Sequence, residues 1–311
     1  MKKIILSITP NPALDLSGSA RAIVPNEKTY VFDERRDPGG NALNAARIIH
    51  RLGVPVIASG FLGGSTGDEV ANLIAAEGLE THFIKIKNST RVNVTVSNKT
   101  DHRQTRLSFA GPRISLDERK ELFRLLSNQQ GIEILLLGGS LPKGFNMSEL
   151  LHLMRIAKSK KIPVIIDCPG NILGRAIDTR PLLVKPNLEE FHQLTGRRVK
   201  TKRAVLKLAS SYLAKVPFFC VSSVEGGTLF VSREGNFFGK IPSIKIHSTV
   251  GAGDSMVGAM AAEIFKGTQA PGEILRWGLA AAAATLANRG THLGNGASIK
   301  RLYREIKIES V

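Results

Sequence analysis

The sequence predicts an α/β fold, with a mostly parallel central sheet covered by helices on both faces and a small separate β-sheet set beside it as a lid. Short apolar runs rich in β-formers alternate with longer stretches of helical period, which is the signature of βαβ units and buried parallel strands. Right-handed crossovers then place helices on both faces. Two segments, roughly 16–37 and 89–110, break the alternation and read as strands with no helix between them.

Taken in order, residues 4–8 are the first buried strand. The opening MKKIILSITP is expected to be this strand rather than a signal peptide, because its apolar stretch ends at Ser7 and a signal-peptide core needs about 7–15 residues. Helix is predicted over 41–52, strand over 56–61 and helix over 66–77. TRVNVTVS at 90–97 and TRLSF at 105–109 alternate, so one face is covered and the other open. With 16–37 they are expected to form a small antiparallel sheet; two unrelated surface hairpins would give the same pattern. Helix follows over 115–127, strand over 134–137, helix over 147–160, and strands over 164–167 and 182–185. Helix 202–215 and strand 218–222 come next, then a strand-like run at 241–246. The last third holds two long Ala-rich helices, 251–266 and 271–288, whose small side chains allow close packing. One domain is expected to span 1–311.

Composition narrows the classes. Of 311 residues 42% are hydrophobic, enough to bury a core and to exclude disorder as the main state. No stretch approaches the ~18 apolar residues of a membrane span. Cys168 and Cys220 lack metal-type spacing and read as reduced core thiols of a cytoplasmic protein. The net charge of +17 favours anionic partners. Its densest cluster, between Arg197 and Lys207, reads as a solvated face. Aromatic residues are only 5% and none interleave with the cluster, so a stacking platform for nucleic acid is not expected.

Three motifs carry chemistry. Ser248-Thr249-Val250-Gly251-Ala252-Gly253-Asp254-Ser255 opens a helix. Glycines there let backbone approach a ligand, and the unpaired first N–H groups with the helix dipole make an anion site suited to a phosphoryl group. Asp254 in that place is either a helix cap or a general base for a hydroxyl attacking the phosphoryl group. Pro38-Gly39-Gly40-Asn41-Ala42-Leu43-Asn44 leads into another helix, where Asn44 suits sugar hydroxyls; a plain glycine turn is the alternative. Lys185-Pro186-Asn187-Leu188-Glu189-Glu190 ends a strand. Its Asn187 and Glu190 share a helical face and suit either a hydrated Mg²⁺ or simple capping. No Gly-x4-Gly-Lys-Ser/Thr phosphate loop occurs.

Together, in this order and spacing, these motifs resemble the ribokinase-like (PfkB-type) carbohydrate kinases over the whole chain. The resemblance extends to TPNPALD at 9–15, Lys28, TRVNV at 90–94, Arg106, GGSLPKG at 138–144, VKPNLEE at 184–190, GAGDSMVGAM at 251–260 and ANRGT at 287–291. It points to the phosphosugar-kinase branch: 6-phosphofructokinases first, then 1-phosphofructokinases and tagatose-6-phosphate kinases. The resemblance implies a ribokinase-like three-layer sandwich with a β-lid that mediates homodimerisation, and ATP and a phosphorylated ketohexose as substrates, with Mg²⁺. It makes Asp254 the base, with Gly251, Ala252 and Gly253 donating N–H groups to the transferring phosphoryl group. Asp15, Gly39, Gly40 and Asn44 fall to the sugar, Lys28, Arg91 and Arg106 to its phosphate, and Ser140 to the substrate as well. Lys185, Asn187, Ser222, Gly227, Ser248, Thr249 and Asn288 fall to ATP, and Glu190 with Asn187 to the metal. Two departures stand out. Asn41-Ala42 replaces small glycine-rich residues, and a positive φ at Ala42 would force that loop to shift. Ser222-Ser223-Val224 replaces Ser-x-Gly in the nucleotide loop. A sugar-phosphate-binding regulator without catalysis is the rival from another class.

Overall fold

The computed structural model describes residues 2–101 and 103–311. In chain order, β1 (Ile4–Thr9) is followed by β2 (Ala13–Ala20) and β3 (Phe32–Gly39), then α1 (Asn41–Arg51), β4 (Val56–Leu62) and α2 (Gly64–Ala76). The two-residue strands β5 (Glu80–Thr81) and β6 (Ile84–Lys85) precede β7 (Arg91–Asn98) and β8 (Gln104–Leu107). Next come α3 (Leu116–Asn128), β9 (Ile132–Gly138), α4 (Met147–Ser159), β10 (Val164–Asp167), α5 (Gly170–Ala176), a 3₁₀ turn (Ile177–Thr179), β11 (Leu183–Val184) and α6 (Leu188–Thr195). The chain closes with α7 (Lys202–Ser210), β12 (Phe218–Val224), β13 (Gly227–Val231), β14 (Asn236–Lys240), α8 (Ala252–Phe265), α9 (Pro271–Leu286), α10 (Gly296–Tyr303) and β15 (Lys307–Ser310).

The main sheet has eleven strands, running β15-β14-β13-β12-β11-β10-β9-β1-β4-β5 with β6 also on β4. It is parallel from β5 to β12 and antiparallel from β12 to β15. Period-two alternation sends successive residues to opposite faces. Ile5, Ile134, Leu136, Ile165 and Leu183 join α1, α8 and α9 in one core. Leu6, Leu135, Leu137, Ile166 and Val184 join α3, α4 and α6 in the other. Three layers result. Small residues draw the first of these helix layers tight: a Cβ on Gly258 would stand 2.6 Å from the Ala45 carbonyl oxygen.

The small sheet runs β3-β2-β7-β8. It is not wholly antiparallel as expected, because β2 and β7 pair in parallel. Both strands leave the body in the same outward direction, and their returns, β3 and β8, pair on the outer sides. The strands also begin at Ala13, earlier than the alternating pattern indicates.

Residues 241–246 form no strand. β14, the strand they follow, already has neighbours on both edges, and Pro242 lacks a donor. Residues 211–215 turn instead of continuing α7. The cluster Arg197, Arg198, Lys200, Arg203 and Lys207 is exposed, as a solvated face requires. Both cysteines are free and buried; burial pushes the Cys220 thiol up to about 12, far from reactive thiolate. Among the described residues no helix is long and apolar enough to cross a membrane.

Candidate active site

The C-terminal ends of β1, β9, β10 and β11 line one crevice, beside the point where strand order reverses around β1. Open α/β sheets place ligands there. Five elements converge on it: the N-termini of α1 and α8, the strand ends bearing Asp167 and Lys185, and the inner face of the small sheet.

Gly251 takes φ +76 as the residue before α8, with its Cβ position 2.7 Å from Leu293 Cδ2. Any other residue there would be strained. The start of α8, with no side-chain cap, thereby lies beside Lys185. The Cβ position of Gly253 lies 3.2 Å from Lys185 Nζ, so a glycine lets the ammonium rest against the helix end.

Asp254, in the first turn of α8, accepts a 2.8 Å hydrogen bond at Oδ2 from Asn44 Nδ2. It is not the N-cap: Gly251 is, with no side-chain cap. Burial, then the nearby Asp167 charge, push its carboxyl up to about 7; Asn44 and Lys185 pull in the other direction. A group titrating near neutrality beside unpaired helix donors is suited to take a proton from an attacking hydroxyl.

Asn44 is oriented in turn. Its Oδ1 accepts from Arg47 Nη1 at 3.3 Å, which leaves its amide N–H for Asp254. Arg47 is fully buried and also donates to the Pro38 carbonyl and to the Glu77 carboxylate on the loop after α2. Sequence reasoning missed Arg47, Asn11, Asn93 and Asp167. A signal for Asp167 was present: an acid at the last position of a parallel strand points at the ligand crevice. Asp167 Oδ1 lies 3.4 Å from Lys185 Nζ, both nearly fully buried. Burial alone works to lower the Lys185 pKa, but the negative groups around it, Asp167 first, raise it overall.

On the small-sheet side, Asn93 Nδ2 donates to Asp15 Oδ1 at 2.8 Å, and burial raises the Asp15 pKa. Gly39 is glycine because a Cβ would run into that carboxylate. Gly40 takes φ +126 at the start of α1. Ala42 lies inside α1, outside the positive-φ set, and its carbonyl accepts from Ser7 Oγ at 2.7 Å. The positive φ at Ala42 on which a loop shift is conditional is therefore absent; in this loop Gly40 carries the unusual backbone. Arg91 donates to the Phe109 and Asn11 carbonyls at 2.9 Å each, with Nε buried and unpartnered. Asn11 Nδ2 reaches Ser140 Oγ at 3.1 Å. Arg106 Nη2 donates to Thr249 Oγ1 at 2.8 Å, joining the small sheet to the loop before α8.

The remaining candidates are placed less directly. Lys28 is exposed, its ammonium 4.8 Å over the Tyr30 ring, and makes none of these contacts. Asn187 and Glu190 form a reciprocal capping box on α6, with bonds of 2.8 and 2.9 Å, so capping is their observed role; one Glu190 oxygen stays outside it. Ser222 bridges to Asn187 across the strand ends. Ser223 and the turn residues Glu225 and Gly226 all have positive φ, giving the tight hairpin into β13. Gly227 is pressed against the Phe238 ring. Ser248 is buried and accepts from the Val250 N–H, and Asn288 donates to the Leu293 carbonyl.

The sequence profile of the pfkB family carbohydrate kinases matches residues 11–296. The ATP-dependent 6-phosphofructokinase isozyme 2 of Escherichia coli (strain K12) is 32% identical over 302 residues, 96% of this chain and 97% of that protein. The 1-phosphofructokinase of Bacillus subtilis (strain 168) is 27% identical over 307 residues, 98% of this chain and 99% of that one. The crystal structure of Escherichia coli phosphofructokinase-2 in complex with substrates and products superposes with a TM-score of 0.91 at 31% identity, covering 98% of this chain and 99% of that chain.

Proposed function

The chain belongs to the pfkB family of carbohydrate kinases, and from that membership we propose that it transfers the γ-phosphoryl group of ATP to the 1-hydroxyl of fructose 6-phosphate, giving fructose 1,6-bisphosphate. The observation that carries this reading is Asp254: a carboxyl pushed up to about 7 and oriented by Asn44 beside the open N-terminus of α8.

The sugar hydroxyl gives its proton to Asp254 as its oxygen attacks phosphorus in line. The bond from phosphorus to the bridging oxygen of ADP breaks, and the electron pair leaves with ADP. The N–H groups of Ala252 and Gly253 and the Lys185 ammonium face the charge spread over the transferring group, where fixed donors act most strongly. Asp15 and Asn44 hold the sugar hydroxyls. Arg91, anchored on two carbonyls with an unused Nε–H, and Ser140 meet the substrate's phosphate at the inner end of the cleft. Arg106 holds the small sheet down over the loop before α8, so that water is excluded during transfer. ATP extends from Lys185 past Asn187 and Ser222.

The donor set suits a largely hydrated Mg²⁺, which keeps several waters and needs only one or two carboxylates. Asp167 and the free oxygen of Glu190 would hold it through those waters, and it would neutralise charge on the ATP phosphates.

Tyr30, Phe32, Leu107 and Phe109 are exposed on the small sheet and its flanking segments at 73, 42, 55 and 57%. Several large apolar residues exposed on one small sheet favour an interaction surface there, which supports a homodimer joined through the lids.

Similarity to the Bacillus 1-phosphofructokinase supports fructose 1-phosphate as the alternative acceptor. ADP release with fructose 6-phosphate, fructose 1-phosphate, tagatose 6-phosphate and unphosphorylated fructose tests the assignment. Preference for fructose 6-phosphate is expected. Preference for another phosphosugar reassigns the acceptor, and binding without ADP release from any of them favours a non-catalytic regulator.

A further inference from the structure

A second cavity of about 330 Å³ lies at the outer end of the cleft, beyond the Arg106–Thr249 contact. Its small-sheet wall carries Ser17, Arg35 and Lys99, and its body wall carries Lys245, His247 and Arg289. The wall's carboxylate is Asp33. Among the described residues none of the four Lys and Arg side chains takes part in an ion pair.

Ser17 is 6% exposed and its Oγ has no hydrogen-bond partner. A buried hydroxyl left unpaired is costly. Ser17 lines the cavity, and Gly290 packs directly on its Oγ: a Cβ at 290 would stand 2.7 Å from that oxygen, and Gly290 has φ +62. Cations on two separate bodies are thus held across one gap with an unused hydroxyl between them. Their mutual repulsion opposes closure of the small sheet unless an anion lies between them.

We propose that this seam cavity binds a phosphate-type oxyanion, free or carried on a small metabolite, that ties the small sheet to the body. Guanidinium groups match the paired oxygens of such a group, and the cavity volume sits at the small end of the ligand range, about 300–1,000 Å³. The site is separate from Asp254 and Lys185 and does not depend on which sugar is phosphorylated.

The test is calorimetric titration of the full chain with inorganic phosphate. Wild type is compared with the double variant Arg35→Gln/Arg289→Gln and with Arg304→Gln, an exposed site on the segment after α10. All three positions are exposed, so the variants keep the fold. Wild type and Arg304→Gln are expected to bind one more phosphate than the double variant, or to bind it at least about tenfold more tightly. Phosphate is also expected to slow amide exchange over Gln104–Leu107 in wild type but not in the double variant. Repeating the titration with fructose 6-phosphate saturating separates the sources. Loss of the extra site assigns it to the substrate's own phosphate, and its persistence assigns it to a separate anion. Equal stoichiometry and affinity in all three proteins, or no wild-type binding up to about 10 mM, would overturn the proposal. Since neither readout uses turnover, that failure would leave the kinase assignment untouched.

Discussion

With Asp254 as the proposed base, the pH dependence follows from its surroundings. As a base it acts only when ionised, and burial with the Asp167 charge holds its carboxyl at about 7. Turnover per free enzyme, kcat/KM, is therefore expected to climb through pH 6–8 and level off above, as a pH–rate profile would show. The neighbours set the sign of further changes. The Asn44 N–H favours the ionised form, so Asn44→Ala moves the rise to higher pH. The Asp167 charge disfavours it, so Asp167→Asn moves the rise to lower pH. Profiles that stay in place in both variants would remove Asp254 as the titrating group. Asp254 and Asn44 were legible in the sequence because each sits in a glycine-marked motif at a helix start. Arg47 and Asn93 were not. They act through another side chain, and only the fold brings Arg47 to Asn44 and Asn93 to Asp15.

At the scale of elements, the start of α8 is the working part, and its two glycines have different duties. Gly251 carries the left-handed turn, so Gly251→Ala is expected to cost about 1–2 kcal/mol of stability, measurable by denaturant unfolding. Gly253 leaves room for the Lys185 ammonium. Gly253→Ala should leave the melting temperature nearly unchanged while lowering kcat/KM for ATP about tenfold, the scale of one weakened charge-assisted hydrogen bond. The opposite pattern, lost stability with intact kinetics, would mean that Lys185 does not serve the nucleotide. Helix starts were readable because glycine pairs and capping residues mark them. The antiparallel end of the main sheet was not, because β13, β14 and β15 take their identity from tertiary pairing. The 241–246 run shows the converse: β-forming residues make no strand without a ladder partner, the β14 strand before them being paired on both sides.

The molecule as a whole is a three-layer body with a small sheet closed on one crevice, and that architecture was legible because buried parallel strands and helices have different periods. The parallel pairing of β2 with β7 was not, since strand direction depends on where each excursion leaves the body. The exposed apolar residues of the small sheet carry the prediction at this scale. Tyr30→Ser with Phe109→Ser should shift the chain from dimer to monomer in light scattering, while far-ultraviolet dichroism stays unchanged. Asp254 is proposed as the base for phosphoryl transfer to a phosphosugar. The most direct measurement is kcat for wild type and Asp254→Asn on fructose 6-phosphate with saturating ATP and Mg²⁺, alongside the Kd of the sugar for both. A kcat loss of about 10²–10⁴ with sugar affinity kept within a few-fold is the expected result; a variant that turns over within a few-fold of wild type would mean that Asp254 is not the base.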